Sequence, residues 1–262
     1  MPDLRPDEEI VDLVNGYRLI QNKTLFRLGM DAILLADFAS PVPAHDPTVC
    51  DLGTGNGAVL LTMSARNQEA EGRSRITGVG VEVQERSAEL AARNVTLNAL
   101  DEQVSIIRCD LTDIPKGIDP RLKAGSFRTV VCNPPYRKAQ SGITAPKSEI
   151  EIARAEVLCT IDDVCRTAAY LLKWGGSFCC VHRPDRLTDL ICAMRSAGVE
   201  AKRLRLVLPR ADSAPSMVLV EGKRGAKPGI TIEPPLVIYD AAGKYTPQVA
   251  KIYGMTNGPE KE

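Results

Sequence analysis

The sequence predicts an α/β protein built on a mostly parallel, seven-stranded sheet whose last strand runs antiparallel. Three observations carry this. Apolar runs of strand length alternate with helical patterns at short intervals from Thr48 onward, as βαβ units require. The strand ends are marked by acidic residues, glycines or prolines, where open α/β sheets gather their ligands. The last two runs are joined only by residues 209–215, too few for a crossover helix, so that pair must be antiparallel.

In chain order, the first fifteen residues, with two prolines and many charges, read as a loose lead-in. Asn15-Gly16 is a turn signal, and residues 17–20 with 26–28 read as a small hairpin. Gly29-Met30-Asp31 opens an apolar helix over 32–39 that Ser40-Pro41 closes. Strands follow at 48–52, 76–83 and 104–109, with helices at 56–66 and 84–98 between them. A fourth strand covers 127–132, and helices are expected at 149–158 and 161–172. Gly175-Gly176 reads as a turn before a strand at 177–181, and a helix over 185–197 leads to strands at 202–208 and 217–221. The tail suggests a strand at 236–239 and a short helix at 246–253. The expected organisation is a lead-in, hairpin and helix over 1–40, a main domain over 41–226, and an extension over 227–262 packed on it.

Composition narrows the function classes. Lys plus Arg equals Asp plus Glu at 33 each, so bulk charge attracts no polyanion and any nucleic-acid site must be a local patch. Lys202, Arg203, Arg205, Arg210, Lys223, Arg224 and Lys227 form such a candidate, with a solvated strand face as the alternative. The eight cysteines show no CxxC or Cys/His ligand spacing, and with only His45 and His182 available no metal site is expected. No stretch is long and apolar enough for a membrane helix, and the acidic N-terminus lacks a signal-peptide pattern, so a reduced cytoplasm is expected.

Chemistry concentrates at four strand ends. Asp51-Leu52-Gly53-Thr54-Gly55-Asn56-Gly57 lies between the first strand and its helix, where Gly53, Gly55 and Gly57 let backbone approach a ligand. Glu82 ends the second strand, where a carboxylate can accept both hydroxyls of a ribose. Asp110 ends the third, placed for an adenine amino group with Leu111 beside the ring; each of these acids could equally cap a helix. Asn133-Pro134-Pro135-Tyr136 ends the fourth. Two prolines stop the strand and hold the peptide stiff and extended, presenting an amide, free carbonyls and an aromatic face. That set suits a planar amide or an exocyclic amine, whose N–H groups the oxygens accept while the tyrosine stacks on its plane.

The acidic start and G-x-G-x-G spacing of residues 51–57 resemble motif I of class I S-adenosylmethionine-dependent methyltransferases, which are Rossmann-like. The whole set resembles the bacterial methyltransferase small-domain family, which includes tRNA adenine N6-methyltransferases, and the likeness covers most of the chain. It implies S-adenosylmethionine as cofactor, held by Asp31, Asp51, Gly53, Gly55, Gly57, Glu82, Asp110, Leu111 and Asn133, with residues 15–39 closing over it. It implies an RNA substrate, with Asn133, Pro134 and Tyr136 acting on an adenine amine; Pro135, Arg137 and Lys138 at the motif and its exposed loop, and Arg203 and Arg205 in the basic segment, are the expected RNA contacts. Glutamine N5-methyl transfer to release factors uses the same four-residue motif, but that family carries a helical domain ahead of motif I, which here begins at Asp51. A non-catalytic RNA-binding module is a further alternative, which intact cofactor and acceptor motifs argue against.

Overall fold

Strand runs such as Val49 and Cys50, or Val130 to Cys132, are apolar on both sides because helices cover both faces of the sheet. The computed structural model describes residues 4–25, 28–68, 75–134 and 160–255. In chain order the elements are β1 (Glu8–Asp12), β2 (Arg18–Asn22), α1 (Met30–Phe38), β3 (Thr48–Leu52), α2 (Ala58–Gln68), β4 (Thr77–Glu82) and α3 (Glu85–Leu97). They continue with β5 (Val104–Arg108), β6 (Phe127–Cys132), α4 (Ile161–Leu171), β7 (Leu172–His182), α5 (Leu187–Ser196), β8 (Val199–Leu208) and β9 (Met217–Arg224). The tail adds β10 (Thr231–Ile232), β11 (Leu236–Val237) and α6 (Pro247–Ile252).

The main sheet runs in the order β5-β4-β3-β6-β7-β9-β8, with β10 and β11 both pairing along β8. Strands β3 to β7 are parallel, and β9 is antiparallel to β7 and β8, between which it inserts. The expected antiparallel last strand is therefore present, and two short tail strands raise seven to nine. Because β3 leads outward to β4 while β6 returns on its other side, the switch point lies between β3 and β6, where Leu52 pairs with Cys132. Ligand crevices form at such points.

One core packs α1 and α2 on the face carrying Val49, Val131, Cys179 and Leu219; the other packs α4 and α5 on the face carrying Cys50, Leu52, Val130 and Phe178. Helix α1 is apolar nearly all round, so it is buried nearly all round. Each of Ile33, Leu34, Leu35 and Phe38 contributes about 1.5–3 kcal/mol by leaving water.

Two expectations need correction. The lead-in is not loose: β1 pairs with β2 in an antiparallel hairpin, Glu8 opposite Asn22 and Asp12 opposite Arg18. Asn15-Gly16 is its turn, with φ of 59° and 75°, the left-handed conformation that Asn-Gly supplies. Local sequence hid β1 because Glu8 looks solvent-bound, whereas Arg93 on α3 bonds both its carboxylate oxygens, at 2.6 and 2.8 Å. Gly175-Gly176 is likewise not a turn. β7 runs through both glycines, and its pairing with β6 shifts register between Phe127–Leu172 and Thr129–Ser177. A Cβ at Gly176 would lie 2.9 Å from the Lys173 carbonyl oxygen and 3.0 Å from that of Arg128, so the bulge requires glycine there.

The tail is fastened to this frame. The Arg66 guanidinium donates to the Ile252 carbonyl and pairs with Asp37 on α1, while Tyr239, Tyr245 and Tyr253 stack at 5.5 and 5.3 Å between centroids.

Candidate active site

The glycine turn after β3 is built on backbone that side chains disfavour. Gly53, Gly55 and Gly57 have φ of 70°, 57° and 87°. They do different work: a Cβ on Gly53 or Gly55 would meet nothing within 4 Å, so their backbone faces open space, whereas at Gly57 it would touch Leu61 and Ala91. Gly53 and Gly55 thus shape a cradle, and Gly57, whose φ of 87° favours glycine, sits at ordinary contact distance from α2 and α3. Gly80 in β4 brings the same loop down onto the sheet, since a Cβ there would lie 2.9 Å from the Thr54 methyl.

Asp51 is buried beneath this turn. Its Oδ2 accepts the Thr54 hydroxyl at 2.6 Å, and Oδ1 is buried without a partner among the described residues. Burial pushes its carboxyl up to about 7, against the lowering effect of the Thr54 bond and with help from the Glu82 charge. Glu82 closes the turn from β4: Oε2 accepts the Gly55 N–H at 3.0 Å and Oε1 the Gln84 N–H at 2.8 Å. Each carboxylate oxygen keeps a further lone pair for a hydroxyl. Asp110 is an N-cap, as the plainer reading allowed, with Oδ1 accepting the Thr112 N–H at 2.8 Å and hydroxyl at 2.7 Å. Leu111 packs against the second core, and its carbonyl accepts the Thr167 hydroxyl.

Asn133 and Pro134 follow β6 directly, both half-buried. Asn133 Nδ2 donates to Asp31 Oδ2 at 3.1 Å, tying the strand end to the first turn of α1. Asp31 is itself buried, its Oδ1 accepts the Ala32 N–H at 3.0 Å, and a Cβ on Gly29 would strike that oxygen at 2.1 Å. Pro135, Tyr136, Arg137 and Lys138 lie outside the described residues.

With this geometry in view, comparison with known proteins decides the family. The methyltransferase small domain model matches residues 30–186, more than half of the chain. The chain belongs to that family. It is an S-adenosylmethionine-dependent methyltransferase of the class I fold. A Porphyromonas gingivalis protein named tRNA1(Val) (adenine(37)-N6)-methyltransferase is 27% identical over 241 residues, 90% of each chain. A Bacteroides thetaiotaomicron protein of the same name is 25% identical over 204 residues, 78% of this chain and 79% of its own. Among solved structures, a predicted O-methyltransferase from Agrobacterium tumefaciens superposes with a TM-score of 0.67 at 23% identity, covering 87% of this chain and 97% of its own. At that identity the likeness speaks for the fold alone.

In this small-domain methyltransferase the cradle over Gly53 and Gly55 and the acid line Asp51, Glu82 and Asp110 fit the cofactor: open backbone for an extended ligand and carboxylates for its hydroxyl and amino groups. The two arginines expected at the RNA are engaged with the protein. Arg203 turns inward: Nε donates to Glu221 at 2.7 Å, Nη1 to Glu233 at 3.0 Å and Nη2 to the Phe38 carbonyl at 2.6 Å, with the guanidinium 3.9 Å from the Phe38 ring centroid. Arg205 donates to the Pro234 carbonyl at 3.2 Å beside Glu233. Both arginines bind the tail to the sheet, Arg203 through all three guanidinium nitrogens and Arg205 through Nε. A cleft of about 420 Å³ lined by Ser40, Pro41, Arg128, Thr129, Ser177 and Lys223 opens at the start of β6, away from Asn133. Among the described residues no group of three or more His, Cys, Asp or Glu is placed for a metal ion, and no helix is long and apolar enough to cross a membrane.

One supporting residue escaped the sequence. Asn94 on α3 is fully buried: Oδ1 accepts the Ile20 N–H at 2.6 Å, and Nδ2 donates to the Ile20 carbonyl at 2.9 Å and the Asn56 carbonyl at 3.0 Å. It fastens the glycine turn to the hairpin. Asn98, one turn on, grips Arg18 N–H and carbonyl at 2.9 and 2.8 Å, so two side-chain amides occupy the free edge of β2. The signal was Asn94 on the apolar stripe of α3, next to Leu90, Ala91 and Val95.

Proposed function

We propose that the enzyme methylates the exocyclic N6 amine of an adenine in RNA, an anticodon-loop adenine of a tRNA. The observation that carries the reading is the adjacency of the cofactor turn and Asn133-Pro134 at the ends of paired strands, Leu52 beside Cys132. The names of the Porphyromonas and Bacteroides relatives support the same acceptor.

Bound S-adenosylmethionine supplies a methyl group made electrophilic by its sulfonium. Asp51, Glu82, Asp110 and the cradle at Gly53 and Gly55 would hold it, with Asp31 and α1 forming the wall of the cleft. The chain's remaining task is alignment, which is where most of the rate lies for an activated methyl. Asn133 Oδ1 and the Pro134 carbonyl accept the two amine hydrogens, drawing the nitrogen lone pair out of conjugation with the ring. Tyr136 stacks on the adenine and offsets its unstacking from the loop, a contribution of about 1–3 kcal/mol. No strong side-chain base is required, because the amine loses its proton after it has gained the methyl. Residues 1–40 close the cofactor in, and a tRNA substrate places the enzyme in the cytoplasm.

The test is methyl transfer to unmodified tRNA followed by mass spectrometry of its nucleosides, with release factor as a parallel acceptor. N6-methyladenosine in the tRNA is the expected product. Methylated glutamine in the release factor, with tRNA unchanged, would assign the enzyme to protein substrates.

A further inference from the structure

We infer that Asp31 is a positioning residue that fixes which end of the Asn133 amide faces the acceptor, and so restricts the acceptor to groups carrying N–H. The inference rests on the methyl-transfer reading of this site. An asparagine side chain has an accepting oxygen at one corner and a donating nitrogen at the other, and little in its shape distinguishes them. Unrestrained, Asn133 could offer either. A carboxylate oxygen accepts and does not donate, so Asp31 Oδ2, 3.1 Å from Asn133 Nδ2, holds the nitrogen toward α1. Oδ1, at the other corner of the same planar amide, is left as the acceptor.

The carboxylate is itself held. Asp31 is 9% exposed, its Oδ1 is bonded to the Ala32 N–H at 3.0 Å, and a Cβ at position 29 would crowd that oxygen where it now lies. This polarity has a chemical consequence. An exocyclic amine presents hydrogens to Asn133 Oδ1 and is bound. A ring nitrogen such as adenine N1 presents a lone pair to a lone pair and is repelled. Asp31 therefore selects N6 over N1 without touching the base.

The decisive variants are Asp31→Asn and the exchange Asp31→Asn with Asn133→Asp. In the single variant both residues are amides and can flip together, so kcat on tRNA should fall about 10- to 100-fold from lost alignment. KM for tRNA and calorimetric affinity for S-adenosylmethionine should stay within about twofold, the resolution of a positioning role. In the exchanged pair an amide at 31 donates to a carboxylate at 133, whose second oxygen accepts from the amine, and most of the lost kcat should return. Unchanged kcat in the single variant overturns the inference. So does a loss of cofactor affinity that accounts for the activity, which would make Asp31 a cofactor ligand, and so does an exchanged pair no better than the single variant. If the wild type leaves adenine unmethylated, the functional reading fails. The Asp31 contact is then judged on the Asn133 side-chain amide resonances, identified by their loss in Asn133→Asp: a large shift in Asp31→Ala supports the contact and an unchanged pair removes it.

Discussion

Glu82 Oε2 accepts the Gly55 backbone N–H at 3.0 Å, joining the end of β4 to the cradle above β3. The same carboxylate that organises the turn is the one proposed to receive the ribose, so its two roles share one side chain. Glu82→Ala should weaken S-adenosylmethionine binding by about 1.5–3 kcal/mol for each charged hydrogen bond lost, read by calorimetry. It should also lower the melting temperature, because the Gly55 and Gln84 N–H groups lose their acceptor. Unchanged affinity would remove Glu82 from the cofactor site.

Asp51 predicts a pH dependence. Its carboxyl sits at about 7 in the folded chain against 3.8 unperturbed, so between those values the folded state holds a proton that the unfolded state has released. The contribution to stability is complete below about pH 4 and is lost as pH rises through about 7, with a ceiling of about 4 kcal/mol. Asp51→Asn keeps an acceptor for the Thr54 hydroxyl and cannot titrate. Urea unfolding at pH 5 and pH 8 should therefore show a smaller difference in the variant than in wild type; equal differences would mean Asp51 carries no buried proton.

Asn94→Ala should cost about 2–4 kcal/mol, since it strands the buried Ile20 N–H and two carbonyls. Asn98→Ala, whose bonds to Arg18 are exposed, should cost about 0.5–1.5 kcal/mol by the same measurement. Equal losses in urea titration would deny Asn94 its special place under the glycine turn.

Arg203→Glu separates a structural role of this arginine from an RNA contact. It places a carboxylate against Glu221 and Glu233 and removes the contact with the Phe38 ring, so the chain should lose about 3–5 kcal/mol of stability. RNA affinity per folded molecule should hold steady in filter binding at several salt concentrations. A fold of normal stability with a weaker salt dependence of binding would restore Arg203 to the RNA surface.

What could be read from the chain before folding was whatever depends on near neighbours. Asn15-Gly16 announces a left-handed turn, Asn133-Pro134-Pro135 must end a strand, and the glycines of 53–57 permit the φ values the cradle needs; sterics decide these within a few residues. The apolar runs of β3 to β6 and the helices between them follow from periodicity for the same reason. Other features were decided by partners far away in sequence. Glu8 joins a strand because Arg93 neutralises it, and Arg203 turns inward because Phe38, 165 residues earlier, offers its ring and carbonyl and Glu221 and Glu233 their carboxylates. Asn94 reads as a blemish on an apolar stripe until Ile20 and Asn56 are brought against it. A charge or an amide has no fixed preference for water or protein; the pairing available in the folded chain sets it, and only the tertiary structure supplies that pairing.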